Sequence, residues 1–168
     1  MENLTTTNTQ PQYAGFWLRF AATLIDGLIV GAVQLIVVLP IFGVMGLAGL
    51  EVSEDMDMEN LSGEESLGLL AGMMGSIMIA WLAAFAIQWF YFALMESSSK
   101  QATFGKMAVG IKVTDMQGNR ISFLRATGRY LGKIISGMIL CIGYIMAGFT
   151  EKKQALHDMM ASCLVMKK

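Results

Sequence analysis

The stretch WLRFAATLIDGLIVGAVQLIVVLP, Trp17–Pro40, decides the fold of this chain, because it enters the first long apolar run and yet carries an arginine and an aspartate. From Gly27 to Leu50 there are 24 residues without a charged side chain. At about 1.5 Å of rise per residue, a helix of this length exceeds the roughly 30 Å hydrocarbon core of a bilayer. The sequence therefore predicts a first transmembrane helix over residues 18–39, which Pro40 kinks or ends.

A second uncharged run predicts a second transmembrane helix over residues 67–95. The composition agrees, because 55% hydrophobic and 15% charged residues with a mean hydropathy of +0.56 lie outside the usual range of soluble domains. A third apolar segment, residues 134–149, is shorter and contains three glycines. Two alternatives remain open for it: a complete crossing, or a re-entrant hairpin that other parts of the protein cover.

The charges are segregated along the chain. Residues 51–66 hold seven acids and no Lys or Arg, whereas residues 96–133 hold seven bases. The preference of Lys and Arg for the cytoplasmic side predicts a multi-pass membrane protein with a cytoplasmic N-terminus, an acidic outer loop and a cytoplasmic basic segment. A hairpin in the third segment keeps the four lysines of the tail, residues 150–168, inside as well. Residues 1–15 are polar and predict a flexible leader.

The basic segment predicts two small elements. Residues 124–137 have the pattern of an amphipathic helix, on which Arg125, Arg129 and Lys133 share one stripe and are predicted to contact lipid headgroups. Alternation around the DMQGN turn predicts a β-hairpin from about Val109 to Phe123, and SCLVMKK is a possible further strand. The predicted fold class is therefore a membrane all-α protein with a small cytoplasmic β-hairpin, forming one domain over residues 16–166.

Asp26 is the unusual residue of the first span. Arg19, Thr23 and Asp26 lie on one helical face, but Arg19 and Asp26 are about 10.5 Å apart along the axis, too far for a direct ion pair. An uncompensated carboxylate at this depth costs on the order of 2.5 to 3.5 kcal/mol or more. We therefore expect Asp26 to be paired, linked to water or protonated.

Other classes of site find no support in the sequence. Cys141 and Cys163 lack the spacing of metal ligands or of a disulfide framework, and we expect both to be packing residues. There is no phosphate-binding loop and no nucleophile elbow, so the sequence predicts no enzyme, no cofactor and no metal site. The basic residues are not interleaved with aromatic residues, which argues against nucleic acid as a partner.

Three stretches, GFWLRFAATLIDGLIV, QATFGKMAVGIKVTDMQGNRIS and EKKQALHDMMASCLV, occur in the order in which they occur in the RDD family of bacterial multi-pass membrane proteins, and the chain resembles that family. The family is named for one arginine and two aspartates, which the resemblance assigns to Arg19, Asp26 and Asp158. It likewise assigns Gly105 and Lys106 to the family's Gly-Lys pair. The family is often drawn with three spans, and transport, including cation/proton exchange, has been suggested for it.

The first functional hypothesis is a cation- or proton-coupled transporter. Asp26 would bind a monovalent cation or a proton, Arg19 would bias its charge state, and Asp158 would complete the network at the inner mouth. Thr23 belongs to this network because it shares the helical face of Arg19 and Asp26. His157, the only histidine, would relay protons near neutral pH. Two spans and a hairpin are too few segments to enclose a pathway for an ion, so this hypothesis requires a homo-oligomer. A stripe of small residues in the second span, spaced by four, suits such packing: Gly68, Gly72, Ser76, Ala80, Ala84 and Gln88.

The second hypothesis is a structural latch. The same three charges would join the first span, the basic helix and the tail without moving an ion. The protein would then be a membrane scaffold, a lipid-binding module or an accessory subunit. A buried Arg–Asp network accounts for the charges equally well, although such a pair is weak evidence of net stability.

Overall fold

The computed structural model describes residues 12–55, 62–139 and 142–168. The elements, in chain order, are α1 (Phe16–Asp55), α2 (Gly63–Glu96), α3 (Phe104–Ala108), β1 (Ile111–Asp115), α4 (Phe123–Met138), α5 (Ile142–Ile145), a 3-10 turn (Met146–Gly148), α6 (Leu156–Met160) and β2 (Cys163–Lys167).

The two predicted membrane helices are confirmed. Over the described ranges, two helical stretches are long and apolar enough to cross a bilayer, Phe16–Val44 and Gly63–Glu96. Pro40 does not end α1, which continues to Asp55 and so includes the first residues of the predicted acidic loop. Residues 56–61 of that loop, and residues 1–11 of the predicted leader, lie outside the described residues.

Internal contacts divide the chain into two compact units, and one of them is residues 27–90. The single domain over residues 16–166 stays a prediction. Within residues 27–90, Gln34 of α1 donates to the carbonyl of Ala84 in α2 over 2.9 Å. Most large apolar side chains remain exposed, and Trp81 is 74% exposed, as expected for helix faces that contact lipid. A Cβ added at the glycines of the predicted packing stripe would meet no described atom within 4 Å. Among the described residues the stripe is therefore open at Gly68 and Gly72, whereas Ala80 is buried.

The second unit contains residues 12–26 and 91–168, and we call it the basal module. At its centre β1 and β2 pair antiparallel, with Val113 opposite Val165 and both side chains fully buried. Tyr13 adds a bridge to Met166 beyond β2, and the amide of Ala14 donates to the carbonyl of Val165 over 2.8 Å. The N-terminal approach to α1 is thus held against the C-terminal strand.

A small antiparallel sheet and a strand in SCLVMKK were predicted correctly, but the predicted partner of β1 was wrong. The DMQGN turn forms, because the Asp115 carboxylate accepts hydrogen bonds from the amides of Gln117 and Asn119. The chain does not return as a strand, because Ser122 caps the N-terminus of α4 by accepting a hydrogen bond from the amide of Arg125. β1 pairs instead with β2, whose residues Cys163, Leu164 and Val165 are buried beside it in the sheet.

The amphipathic helix predicted over residues 124–137 is α4. The apolar segment that begins within it is not one straight helix, because α4 and the α5 to Gly148 stretch meet at a bend of 117°. A Cβ at Gly132 would lie 3.1 Å from the Cβ of His157, so α4 and α6 approach closely there. The segment lies within the basal module, after β1 and before α6 and β2 in chain order, so the chain on both sides of it adjoins the same sheet.

Candidate functional site

Two groups of buried polar side chains lie in the basal module. The Asp26 node consists of Asp26, Tyr91, Thr103 and Gly105. The charge cluster consists of Arg19, Glu96, Lys106, Arg129, Lys133 and Asp158.

The Asp26 node holds a carboxylate that is 1% exposed, and all three of its donors are uncharged. Oδ1 of Asp26 accepts hydrogen bonds from the Tyr91 hydroxyl and the Gly105 amide, each over 2.7 Å. Oδ2 accepts from the Thr103 hydroxyl over 2.5 Å. The Tyr91 oxygen itself accepts from the amide of Phe104 over 3.2 Å, which directs the hydroxyl proton toward Asp26. Hydrogen bonds from neutral donors therefore satisfy this carboxylate without a cation.

Helix α3 places two of these donors. Thr103 is its N-cap, and its hydroxyl oxygen accepts from the amide of Lys106. Gly105 lies directly against α1, where an added Cβ would be 2.2 Å from the carbonyl oxygen of Ala22 and 2.8 Å from Cγ of Asp26. Because no side chain fits in this gap, glycine is required for the backbone amide to reach Asp26.

The charge cluster is built around Arg129, which is 2% exposed and touches both of its acids. Nη2 of Arg129 lies 2.6 Å from Oδ1 of Asp158, and Nη1 donates to both oxygens of Glu96 over 2.7 Å. Arg19 pairs with Oδ2 of Asp158. A guanidinium that engages two carboxylates uses the fork geometry that lysine lacks.

Glu96, the last residue of α2, is the acid next to which both lysines of the charge cluster lie. Lys106 pairs with Oε1 of Glu96, and Nζ of Lys133 lies 3.4 Å from the same oxygen. The Lys133 ammonium also sits 3.9 Å from the centroid of the Phe92 ring, a favourable cation–π distance. Burial lowers the pKa of Lys106, and the charge of Glu96 opposes this shift.

Asp158 and His157 belong to the short helix α6. Oδ2 of Asp158 accepts from the amide of Ala155 over 3.1 Å, which caps the helix start. Burial by itself raises the pKa of Asp158, but the charges of Arg129 and Arg19 outweigh this effect and hold the pKa well below its usual value. Asp158 is therefore an ionised partner for both guanidinium groups at neutral pH.

His157 is 4% exposed, with Nδ1 3.4 Å from the Ser136 hydroxyl and Nε2 3.6 Å from Oδ1 of Asp158. Burial, reinforced by the charge of Arg129, lowers the pKa of His157 to about 2. The ring is neutral at pH 7, and its role as a proton relay stays a prediction.

The three signature charges do not form the single network that was predicted. Arg19 and Asp158 meet, but Asp26 faces its own node and forms no ion pair with any described residue. Thr23 also lies elsewhere: its hydroxyl is exposed and donates to the carbonyl of Arg19 over 2.9 Å. The separation follows from the two helical turns between Arg19 and Asp26, which leave each side chain at a different height on α1.

The stripe of basic residues on α4 requires a second correction. Arg129 was predicted to contact lipid headgroups, but its guanidinium points into the module and is paired with two buried acids. The Lys133 side chain is 17% exposed and is directed toward Glu96. Arg125 is exposed, so a headgroup contact remains a prediction for it.

Glu96 is the site residue that sequence reasoning missed. Its signal was present, since it is a lone acid between an uncharged span and a segment with seven bases. The described residues offer no group of three or more His, Cys, Asp or Glu side chains placed to hold a metal ion. Cys163 is fully buried, and burial raises the pKa of its thiol to about 11, whereas Cys141 lies outside the described residues.

Comparison with known proteins gives a consistent result. A model of the RDD family matches residues 13–162. The uncharacterized protein YxaI of Bacillus subtilis is 37% identical over 156 residues, which cover 92% of this chain and 97% of that protein. The uncharacterized membrane protein YteJ of the same organism is 31% identical over 159 residues, with 91% and 80% covered. No solved structure matches the chain.

Proposed function

The chain belongs to the RDD family of membrane proteins, and we propose that it is a non-catalytic membrane scaffold or accessory subunit in which the Asp26 node and the charge cluster act as a structural latch. In this proposal α1 and α2 cross the bacterial inner membrane, and the basal module lies on the cytoplasmic side with its basic residues. The exposed faces of the two helices contact lipid and a second copy of the chain.

The saturation of the buried carboxylates carries this proposal. Every side-chain oxygen of Asp26, Glu96 and Asp158 accepts from an N–H or O–H group of the same chain. In the described part of the molecule, no buried side-chain nitrogen or oxygen lacks a hydrogen-bond partner. A cation site needs oxygens that are free to replace the water around the ion, and these oxygens are already occupied.

The origin of the charged groups supports a joining role. The charge cluster takes its members from α1, α2, α3, α4 and α6, so it connects the ends of both membrane helices to the rest of the basal module. Removing one member leaves a buried charge without its partner, which typically costs about 3–5 kcal/mol. A charged cluster of this kind specifies one arrangement of five helices even where its net contribution to stability is small.

Proton flux and stability, measured on the same variant, test the proposal. We expect vesicles that contain the purified protein, a Na⁺ or K⁺ gradient and a pH-sensitive dye to show no more proton flux than protein-free vesicles. Asp26→Asn should lower the unfolding temperature in detergent. The change replaces one carboxylate oxygen by an NH2 group, so at least one of the three groups that donate to residue 26 loses its acceptor. Glu151→Gln removes an exposed carboxylate and serves as the matched control. Cation-dependent flux that disappears in a folded Asp26→Asn protein would refute the latch.

Cation/proton exchange is the second candidate, and one observation favours it. Asp26 lies in the stretch Phe16–Val44, which is suited to cross the membrane, and its three partners are neutral. A carboxylate without a cationic partner inside a span is a candidate for proton or ion binding. In this case a second copy would complete the wall of the pathway, and the vesicle assay distinguishes the two proposals.

A further inference from the structure

An open cleft of about 500 Å³ lies in the basal module where α1 begins, and no member of the Asp26 node or of the charge cluster lines it. We propose that this cleft binds the headgroup of an anionic glycerophospholipid. Its wall combines two lysines with aromatic and aliphatic side chains, chiefly Trp17, Ile145, Phe149, Lys153 and Lys167. This inference holds whether the buried charges latch the protein or move an ion.

The two lysines supply positive charge that no acid of the described residues neutralises. Both are exposed, and no carboxylate of the described residues lies within 4.0 Å of either ammonium group. The side chain of Lys153 lies along Gly15, where an added Cβ would be 3.6 Å from Nζ. An anion bound in the cleft would therefore meet cationic groups that pair with no carboxylate of residues 12–55, 62–139 or 142–168.

The backbone holds both lysines in place. Lys153 has a φ of 48°, in the left-handed region, and its carbonyl accepts a hydrogen bond from Nη2 of Arg19 over 2.6 Å. Its amide donates to the carbonyl of Thr150 over 2.9 Å. Lys167 is the last residue of β2, and its amide donates to the carbonyl of Gln12 over 2.8 Å. The cleft is thus built on fixed elements, which lowers the entropy that a ligand must overcome.

The apolar wall favours a lipid over a free phosphate ion. Trp17 is 77% exposed, Phe149 is 87% exposed and Ile145 is 45% exposed, and all three line the cleft. Phe16, also in the wall, is the first residue of the apolar stretch Phe16–Val44, so the cleft lies at the height where the chain enters hydrocarbon. Tryptophan side chains concentrate at this height, beside the lipid phosphates. Acyl chains and glycerol would cover the apolar wall, which a free ion would leave exposed.

The start of α1 adds to the charge complementarity. Phe16, Trp17 and Leu18 are its first residues, and their amides have no acceptor within the helix. The N-terminal end of a helix carries partial positive charge that favours a nearby anion. The lipid phosphate is therefore placed between Lys153, Lys167 and this helix end.

Native mass spectrometry of the full chain in detergent provides the test, with phosphatidylglycerol and phosphatidylcholine as the two probes. We expect the parent to retain phosphatidylglycerol in preference to phosphatidylcholine of the same chain length. The double variant Lys153→Gln/Lys167→Gln should bind phosphatidylglycerol about tenfold more weakly, because charge-assisted contacts are lost. Lys152→Gln/Lys168→Gln removes the same charge from exposed lysines that do not line the cleft, and should change binding less than about twofold.

Several results would overturn the proposal. Equal losses in the two double variants would mean that binding depends on diffuse charge and not on the cleft. No preference of the parent for phosphatidylglycerol would exclude the site outright. Displacement of the lipid by millimolar inorganic phosphate would identify a soluble anion as the ligand. Circular dichroism verifies that each variant is folded, and Lys167→Gln alone replaces the cleft double variant if that variant unfolds.

Discussion

At the scale of the residue, Gly105 can be part of the Asp26 node because it has no side chain. Its amide reaches a buried carboxylate because nothing separates the two backbones, and an added Cβ would be 2.2 Å from the carbonyl oxygen of Ala22. We predict that Gly105→Ala destabilises the protein by about 3 kcal/mol, because α3 must move away from Asp26. Thermal unfolding in detergent measures the effect.

Gly128→Ala is the control for that prediction. Gly128 lies in the exposed part of α4, and a Cβ there would meet no described atom within 4 Å. This change should leave the unfolding temperature unchanged or raise it slightly, because alanine favours a helix. Similar losses of stability in the two variants would show that the approach of α3 to α1 is not the constraint.

His157 makes stability depend on pH in a defined direction. Its pKa is about 2 in the folded protein, whereas an unfolded chain takes up this proton near pH 6.5. The unfolded state therefore binds more protons below about pH 6.5, and stability is full above that pH and falls as the pH decreases. We predict a slope of roughly 1 kcal/mol per pH unit between about pH 5 and 6, above the range in which carboxylates titrate.

Unfolding temperatures of the parent and of His157→Asn across this pH range check the prediction. Because His157 is the only histidine, its replacement should remove most of the slope between about pH 5 and 6. An unchanged slope in the variant would mean that the ring is not held neutral in the folded state.

At the scale of the element, α4 shows why its stripe of bases was misinterpreted. Basic residues on one face of an amphipathic helix suit lipid headgroups and buried acids equally well, since the helical period is the same in both cases. Glu96 and Asp158 lie 33 and 29 residues from Arg129 in sequence, and they decide that this side chain points inward. The orientation of α4 therefore depends on contacts that its own sequence does not contain.

Glu96→Gln tests the cluster that orients α4. The change leaves Arg129, Lys106 and Lys133 close together without their shared acid, so we predict a loss of about 3–5 kcal/mol. Adding Lys106→Met should restore part of it, because one of the crowded cations is removed. Unfolding in detergent measures both effects, with Glu151→Gln as the control. Additive losses in the double variant would contradict a coupled cluster.

At the scale of the whole molecule, the pairing of the N-terminal residues with the C-terminal strand bears on the number of membrane crossings. Tyr13 and β1 both pair with β2, so we expect the N-terminal approach, the segment after α2 and the tail to share one side of the membrane. When α1 and α2 each cross the membrane once, the chain after α2 is back on the side from which it started. We therefore propose that the bent segment from α4 to Gly148 re-enters without crossing.

Single cysteines and a membrane-impermeant maleimide test this topology, in a background without Cys141 and Cys163. We predict that Gln12→Cys, Gln117→Cys and Lys152→Cys react only when the cytoplasmic side is open. Ser62→Cys should react in intact cells. All four positions are exposed, so access of the reagent reports sidedness. Reaction of Lys152→Cys in intact cells would establish a third crossing.

The sequence by itself determined the membrane class, the two long helices, the helix α4 and a strand at the C-terminus. These features follow from local periodicity and from the length of uncharged runs. Both signals are contained in the segment itself and do not depend on where the segment packs. It also indicated the residues Arg19, Asp26, Gly105, Lys106 and Asp158, through resemblance to a family.

Only the tertiary structure decided which of these residues meet. It separated Asp26 from Arg19, brought Glu96 to Arg129, turned Arg129 away from lipid and paired β1 with β2 instead of with its neighbour in sequence. The physical reason is that a buried charge needs a partner of the right geometry, and that partner can come from any part of the chain. The local sequence indicates that a buried charged residue needs a partner of opposite charge or a hydrogen-bond donor, but the partner comes from a segment that is distant in the sequence.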